Sequence, residues 1–415
     1  MSVMWLRVQP ARVAASAGRR SAARRAPATG TGAVVLGGDY QGLGIVRSLG
    51  RHGVPVAVVD DERSIARLSR HCGSCDRVAD LGDEERLVDD LLRLGSRRGW
   101  DGWVLYPTRE ETVAAISRRR DVLGESFRVP TAPWDAIRWA WDKRNTHAIA
   151  AEAGVPTART WRPSSVAELD AIDGEPPWAI KPAIKEHFIY ATKAKAWRAD
   201  TRAELRTLFE RAQAIVGPGE VMVQELIPGG GEQQYAYGAL YERGRPVATM
   251  VARRRRQHPP EFGRASTYVE TIEEPEVEAL SERLLRRIAY DGLVELEFKR
   301  DPRSGEFKLL DFNARTWGYH TVAHAAGVDF PYLLFRQQLG LPVAPRRAAA
   351  GVRWVRLLTD LPTGLVQIRA GDFGMREYMR SLRRADVEAV FSRDDPLPGL
   401  AEVALLPYLA ITRGF

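Results

Sequence analysis

The sequence predicts a mixed α/β and α+β protein, with a parallel α/β unit over residues 31–125, a longer α+β region over 126–340 and a small C-terminal extension over 341–415. Three features predict it. Between residues 31 and 125, short apolar runs alternate with helical segments, the pattern of buried parallel strands covered by helices on both faces. From about residue 126 the strands pair through short turns, and amphipathic helices separate them. After Gly340 the chain carries one amphipathic segment, REYMRSLRRA, and no internal repeat is visible.

In chain order, Ala33 to Leu36 is an apolar run, Gly37 and Gly38 supply a tight turn, and Leu43, Val46 and Leu49 have helical spacing. VPVAVVD (54–60) predicts a second buried strand, 83–99 a helix and WVLYPT (103–108) a third strand. Residues 133–161 read as a helical stretch stopped by Gly154 and Pro156. WAIKPA (178–183) predicts a short strand, 204–217 a helix, and EVMVQELIPGG (220–230) a strand running into a loop. Residues 234–256 predict a hairpin turning at Arg243 and Gly244, 277–290 an amphipathic helix, and 293–300 with 307–314 two strands joined by DPRSGE.

Composition is that of an ordinary soluble protein, with 45% hydrophobic and 27% charged residues. The net charge of +8 does not imply a nucleic-acid partner, because residues 1–32 hold six arginines and no acid and leave the remainder nearly neutral. Residues 1–30 are expected to be a disordered tail or a misassigned start, with an organellar transit peptide as the alternative. No segment approaches the ~18 continuous apolar residues of a membrane helix, so a soluble protein without a membrane partner is expected, and the sparse cysteines make a reducing cytoplasm the expected compartment. Cys72 and Cys75 form a lone C-x-x-C, too little for a disulfide framework or a cysteine zinc site. GGDYQGLG (37–44) is spaced G-G-x-x-x-G-x-G, a weak match to a dinucleotide turn with Asp60 as the ribose acid. An NAD(P)-dependent oxidoreductase is therefore the remote alternative.

The residues that point to chemistry lie in KLLDFNARTWGYH (308–320). Strand alternation sends Leu310, Phe312 and Ala314 one way and Leu309, Asp311, Asn313 and Arg315 the other. A turn centred on Arg303 to Gly305 registers this strand antiparallel to 293–300, with Glu297 opposite Asp311 and Glu295 opposite Asn313. Glu297, Asp311 and Asn313 then share one face, and converging oxygen ligands of that kind suit Mg²⁺. The competing reading is a solvated face neutralised by Lys299 and Lys308. Upstream, Lys143 starts a helix and Lys181 ends an apolar strand, where an ammonium needs an anion. The strand edge in QELIPGGGE offers backbone groups to a purine, and Glu232 a carboxylate to ribose.

DKRNTHAIAAEAGVPTART, AIKPA, VQELIPGGGE and GLVELEFKRDPRSGEFKLLDFNARTWG, in that order, resemble the ATP-grasp superfamily over residues 31 to 340. Within it the chain is most similar to carboxylate–amine ligases of the D-aspartate ligase-like group. The resemblance implies an N-terminal pre-ATP-grasp domain, a two-lobed ATP-grasp fold, ATP and Mg²⁺ (or Mn²⁺) as cofactors, small carboxylate and amine substrates, and often a homodimer. It implies that Lys143 and Lys181 hold phosphates, that Gln224, Glu225, Leu226 and Ile227 receive adenine, and that Glu232 meets the ribose. It further implies that Glu297, Asp311 and Asn313 bind the metal and that Arg315 faces phosphate or acyl phosphate. The family more often has Glu at Asp311 and Pro at Ala314, and many members close a glycine-rich flap where residues 184–196 contain no glycine. Lys185, His187, Lys193 and Lys195 are the candidates to cover the phosphates by charge instead. In ARRRR, alternation pairs Arg253 with Arg255 and Arg254 with Arg256. One pair is expected to face the cleft, Arg253 and Arg255 being the catalytic candidates together with Arg264. An ATP-dependent ligase acting through an acyl phosphate is the function expected. The alternatives are another ATP-grasp phosphoryl-transfer enzyme and an ATP-binding module that has lost catalysis.

Overall fold

The computed structural model describes residues 30–263 and 265–408. Strands β1 (Ala33–Leu36), β2 (Val56–Asp60), β3 (Ser74–Arg77), β4 (Trp103–Pro107) and β5 (Phe127–Arg128) form a wholly parallel sheet in the order β3-β2-β1-β4-β5. The central strands are the apolar runs seen in the sequence. β3 has the sequence SCDR with one buried residue, so no hydrophobic run announces it. β5 carries the first sheet past residue 125.

A second, antiparallel sheet has the order β6-β9-β7-β8, from β6 (Thr160–Trp161), β7 (Trp178–Pro182), β8 (Trp197–Ala199) and β9 (Val221–Glu225). The largest sheet has eight strands: β10 (Gln234–Glu242), β11 (Arg245–His258), β12 (Ala265–Ile272), β13 (Gly292–Arg300), β14 (Phe307–Asn313), β15 (Arg346–Arg347), β16 (Arg353–Val355) and β17 (Val387–Glu388). They run β14-β13-β10-β11-β12-β16-β17, with β15 beside β11. Strands from beyond Gly340 thus complete this sheet. The extension is tied down further by Arg256, whose guanidinium makes two 2.8 Å bonds to the fully buried Asp360, and by Arg47, whose Nε is 2.9 Å from Asp395.

One face of the large sheet shares its core with the first sheet, where Val35, Val58 and Leu43 pack with Ala236, Met250 and Trp317. Trp317 packs against Gly238, where a Cβ would stand 2.3 Å from the indole. The other face is covered by the helices Trp134–Trp141, Lys143–Glu152 and Pro275–Arg287. The first two were expected as one helical stretch. Asp142 breaks it with extended backbone (φ −110°, ψ 119°), and its carboxylate caps the second helix on Arg144 N–H at 2.8 Å. Among the described residues, no helix is long and apolar enough to cross a membrane.

Candidate active site

β13 and β14 pair as expected around the acids: Glu295 lies opposite Asn313 and Glu297 opposite Asp311. One residue further the register slips, because Phe298 pairs with Leu309 and leaves Leu310 unpaired in a bulge. The slip reverses the expected faces of two leucines. Leu309 is buried with Phe307 and Phe312 in the core, while Leu310 joins Asp311 on the wall of an inner cavity. That cavity is lined by the hinge Gln224, Glu225, Leu226 and Ile227, by Lys143, Lys181, Lys185, Lys195, Lys299 and Arg254, and by Glu297 and Asp311. It has an apolar stretch at the hinge and a charged far end.

Both acids of the charged end have cationic partners. Lys143, the first residue of its helix, places Nζ 2.6 Å from Asp311 Oδ1. Burial alone would raise the Asp311 carboxyl, but Lys143, Lys185 and Lys195 around it hold it well below the usual range. Arg254 lies 3.1 Å from Glu297 Oε2, and with Lys195 it lowers that carboxyl against the effect of burial. Glu295 is the opposite case: burial and the neighbouring Glu297 raise it, and it accepts from Tyr319 OH and from Asn313 Nδ2 at 3.0 Å. Among the described residues no three His, Cys, Asp or Glu side chains cluster as metal ligands. The candidate set is two carboxylates and the Asn313 amide, all hard oxygen donors on adjacent strands, which fits Mg²⁺.

The structure redistributes the arginines. Ladder pairing puts Ala252 opposite Ala236, and Ala236 opposite Glu297, so alternation from Ala252 brings Arg254 to the carboxylate face. Arg253 instead donates to the Glu232 carbonyl at 2.7 Å, and Arg255 pairs with Glu270 at 2.7 Å on the surface. Arg253 and Arg255 are therefore corrected in favour of Arg254. Sequence alone did not supply the β10–β11–β13 register. Arg264 lies outside the described residues. Arg315 does reach the acidic end, with Nε 2.9 Å from Glu110 Oε1.

Glu110 went unnoticed in the sequence because it comes from the first sheet, as the first residue of the helix Glu110–Arg118 that follows β4. Its buried carboxylate also takes Lys185 Nζ at 2.9 Å, and Lys185 reaches Asn313 Oδ1 at 3.2 Å. Within the 184–196 segment, Lys185–Thr192 form a helix. It is held on the first sheet by Lys185 and by Tyr190, whose hydroxyl donates to Glu111 at 2.5 Å. His187 turns away to Glu220, 3.1 Å distant.

On the apolar side, Glu225 accepts from Lys308 at 2.8 Å and Arg303 at 3.1 Å, which fixes the hinge. Lys299 Nζ donates to the carbonyls of Ile227 and Gly229 at 2.7 and 2.6 Å. Lys181 Nζ donates to Gln224 Oε1 at 2.6 Å. Burial first, then Lys143, push its ammonium down to about 7. Glu232 lies outside the inner cavity, on the larger cleft that adjoins it at Glu225, Leu226, Ile227 and Lys299. GGDYQGLG forms no anion site, since Asp39 itself takes the N–H groups of Gln41 and Gly42 at the helix start. Gln41 Nε2 donates to both Thr108 and Thr316 carbonyls, so the motif joins the first sheet to the loop that carries Arg315.

Residues 219–359 match the family described as "ATP-grasp in the biosynthetic pathway with Ter operon". Over 300 residues the chain is 23% identical to the D-aspartate ligase of Enterococcus faecium, covering 68% of this chain and 70% of that protein. Among solved structures it is similar to the L-amino acid ligase from Bacillus licheniformis (TM-score 0.58, 15% identity, 74% of each chain). It is also similar to the biotin carboxylase domain of the Hydrogenobacter thermophilus 2-oxoglutarate carboxylase, solved with magnesium ADP and bicarbonate (TM-score 0.62, 17% identity, 77% and 73% of the two chains).

Proposed function

We infer that this chain, which has the ATP-grasp fold, is an ATP-dependent carboxylate–amine ligase that forms an amide through an acyl phosphate. The observation that carries the reading is one cavity in which an apolar hinge and Leu310 adjoin Lys143, Lys181 and Lys185 and the opposed pair Glu297 and Asp311. That sequence of surfaces suits a purine, a polyphosphate and a divalent cation in turn. The likeness to the D-aspartate and L-amino acid ligases supports carboxylate and amine as the substrate classes.

In this reading Gln224, Glu225, Leu226 and Ile227 receive adenine, and Glu232 meets the ribose at the mouth. Lys143, Lys181 and Lys185 neutralise phosphate oxygens. Glu297, Asp311 and Asn313 would hold Mg²⁺, with Mn²⁺ a substitute, and the ion would supply charge neutralisation across the phosphates. The substrate carboxylate attacks the γ-phosphorus in line, the bond to the β–γ bridging oxygen breaks, and ADP leaves. Arg315 and Arg254 stabilise the charge that spreads over the transferred group. A neutral amine then adds to the acyl carbon, and phosphate departs with its bonding pair as the nitrogen loses its proton. Water would hydrolyse the acyl phosphate, and in this reading the segment that holds the helix Lys185–Thr192 excludes it. We assign residues 31–128 as the N-terminal unit, since β5 belongs to its sheet, and the remainder as the grasp, whose large sheet takes β15, β16 and β17 from beyond Gly340. We assign the cytoplasm as the compartment, in keeping with the free Cys72 and Cys75.

A phosphate-release screen with MgATP against panels of amino acids and amines tests the function. ADP and phosphate should form only with both an acid and an amine present. ADP formed with an acid alone and a stable phosphorylated product would identify a kinase instead.

A further inference from the structure

The cations of the inner cavity are not equivalent. Lys143 contacts Asp311, Lys181 bonds to Gln224, Lys185 to Glu110 and Asn313, Lys299 to two hinge carbonyls, and Arg254 contacts Glu297. Lys195 lines the same cavity, yet among the described residues no hydrogen bond and no ion pair within 4 Å engages its Nζ. The charges acting on it are Glu297 and Asp311, opposed by Arg254 and Lys185. Both acids already have closer partners in Arg254 and Lys143.

Half-buried on the cavity wall, this ammonium has no protein partner among the described residues to give up when an anion enters. The segment also lacks the usual way of covering phosphates. Residues 183–196 hold no glycine, and 185–192 are helical, so their backbone cannot fold closely over an anion as a glycine-rich loop can. Any cover here must come from side chains.

We propose that Lys195 is the receptor for the terminal phosphate of the bound nucleoside triphosphate, so that a single side-chain charge tells ATP from ADP. This rests on the nucleotide-binding part of the function proposed above. Lys143, Lys181 and Lys185 divide their hydrogen bonds between protein partners and phosphate oxygens, whereas Lys195 has its whole charge free for the terminal phosphoryl group.

The test is calorimetric titration of the full chain with MgATP and with MgADP, for wild type, Lys195→Met, Lys195→Gln and Lys195→Arg. Both neutral variants should weaken MgATP by on the order of 10-fold or more, the worth of one charge-assisted hydrogen bond, and MgADP by less than about 3-fold. Lys195→Arg should return MgATP to within about 3-fold of wild type. In thermal melts the neutral variants without nucleotide should match or exceed wild type, since an unpartnered ammonium is gone, while the rise in Tm caused by MgATP should shrink. Equal weakening of both nucleotides, no weakening of either, or melting below wild type in both neutral variants would overturn the proposal. Failure of the wild type itself to bind either nucleotide would overturn it together with the function it rests on, and needs no variant to detect.

Discussion

Lys181 gives the site a proton linkage that can be measured without knowing the substrates. Burial, reinforced by Lys143, pushes its ammonium down to about 7 in the free protein, against the pull of Asp311. At pH 8 such a group is about nine-tenths neutral. A phosphate beside it favours the charged form, so nucleotide binding takes up a proton and the affinity falls as pH rises above 7. About 0.9 proton should enter per nucleotide bound at pH 8, and Kd should rise about tenfold per pH unit between 7.5 and 9.5, or 1.36 kcal/mol per unit. The same shift works on stability with the opposite sign. The unfolded chain binds a proton that the folded chain releases, so the free protein gains stability from Lys181 as pH rises from about 7 towards 10. Titrating MgATP at pH 8 in two buffers of different ionisation enthalpy measures the uptake directly. Lys181→Arg stays charged throughout and should lose at least half of it. No uptake by the wild type at pH 8, or the same uptake in the arginine variant, would refute the linkage.

Asp311→Asn removes one of two carboxylates from the candidate metal set and leaves Lys143 without its anion, so turnover should fall by at least about a hundredfold while circular dichroism stays that of the wild type. Mn²⁺ binding followed by electron paramagnetic resonance should weaken in parallel, and unchanged binding would remove Asp311 from the set. Arg256→Met strands the fully buried Asp360 beside Tyr378, which should cost about 3–5 kcal/mol in urea unfolding, whereas a loss below about 1 kcal/mol would mean that the extension is held elsewhere. Glu110→Gln takes the anion away from both Lys185 and Arg315, so hydrogen exchange in the helix Lys185–Thr192 should quicken in the absence of nucleotide. Equal exchange would show that Tyr190 and Glu111 suffice to hold it.

What the sequence made legible was local. A six-residue connection between β13 and β14 restricts their pairing enough to set Glu297 against Asp311, and apolar runs identify the central strands of the first sheet. The bulge at Leu310 left no local mark, and it moved two leucines to opposite faces. The arginine run was ambiguous for the same reason at longer range. Alternation alone says that Arg254 and Arg256 share a side, and only the ladder through β10 says that this side holds Glu297. Glu110 was illegible because it stands about 200 residues from Arg315 and meets it only through the docking of the first sheet. Helix formation over 185–192 was missed as well, although a segment without glycine, KEHFIYAT, has no obstacle to a helix.

In the proposed reaction a carboxylate oxygen is phosphorylated by ATP on the way to an amide. The most direct measurement is isotope transfer with whichever acid and amine pair supports phosphate release. With ¹⁸O in the substrate carboxylate, the released phosphate should carry one ¹⁸O per turnover, and ADP should be the only nucleotide product. Unlabelled phosphate, or label appearing in AMP, would contradict the acyl-phosphate ligase described here.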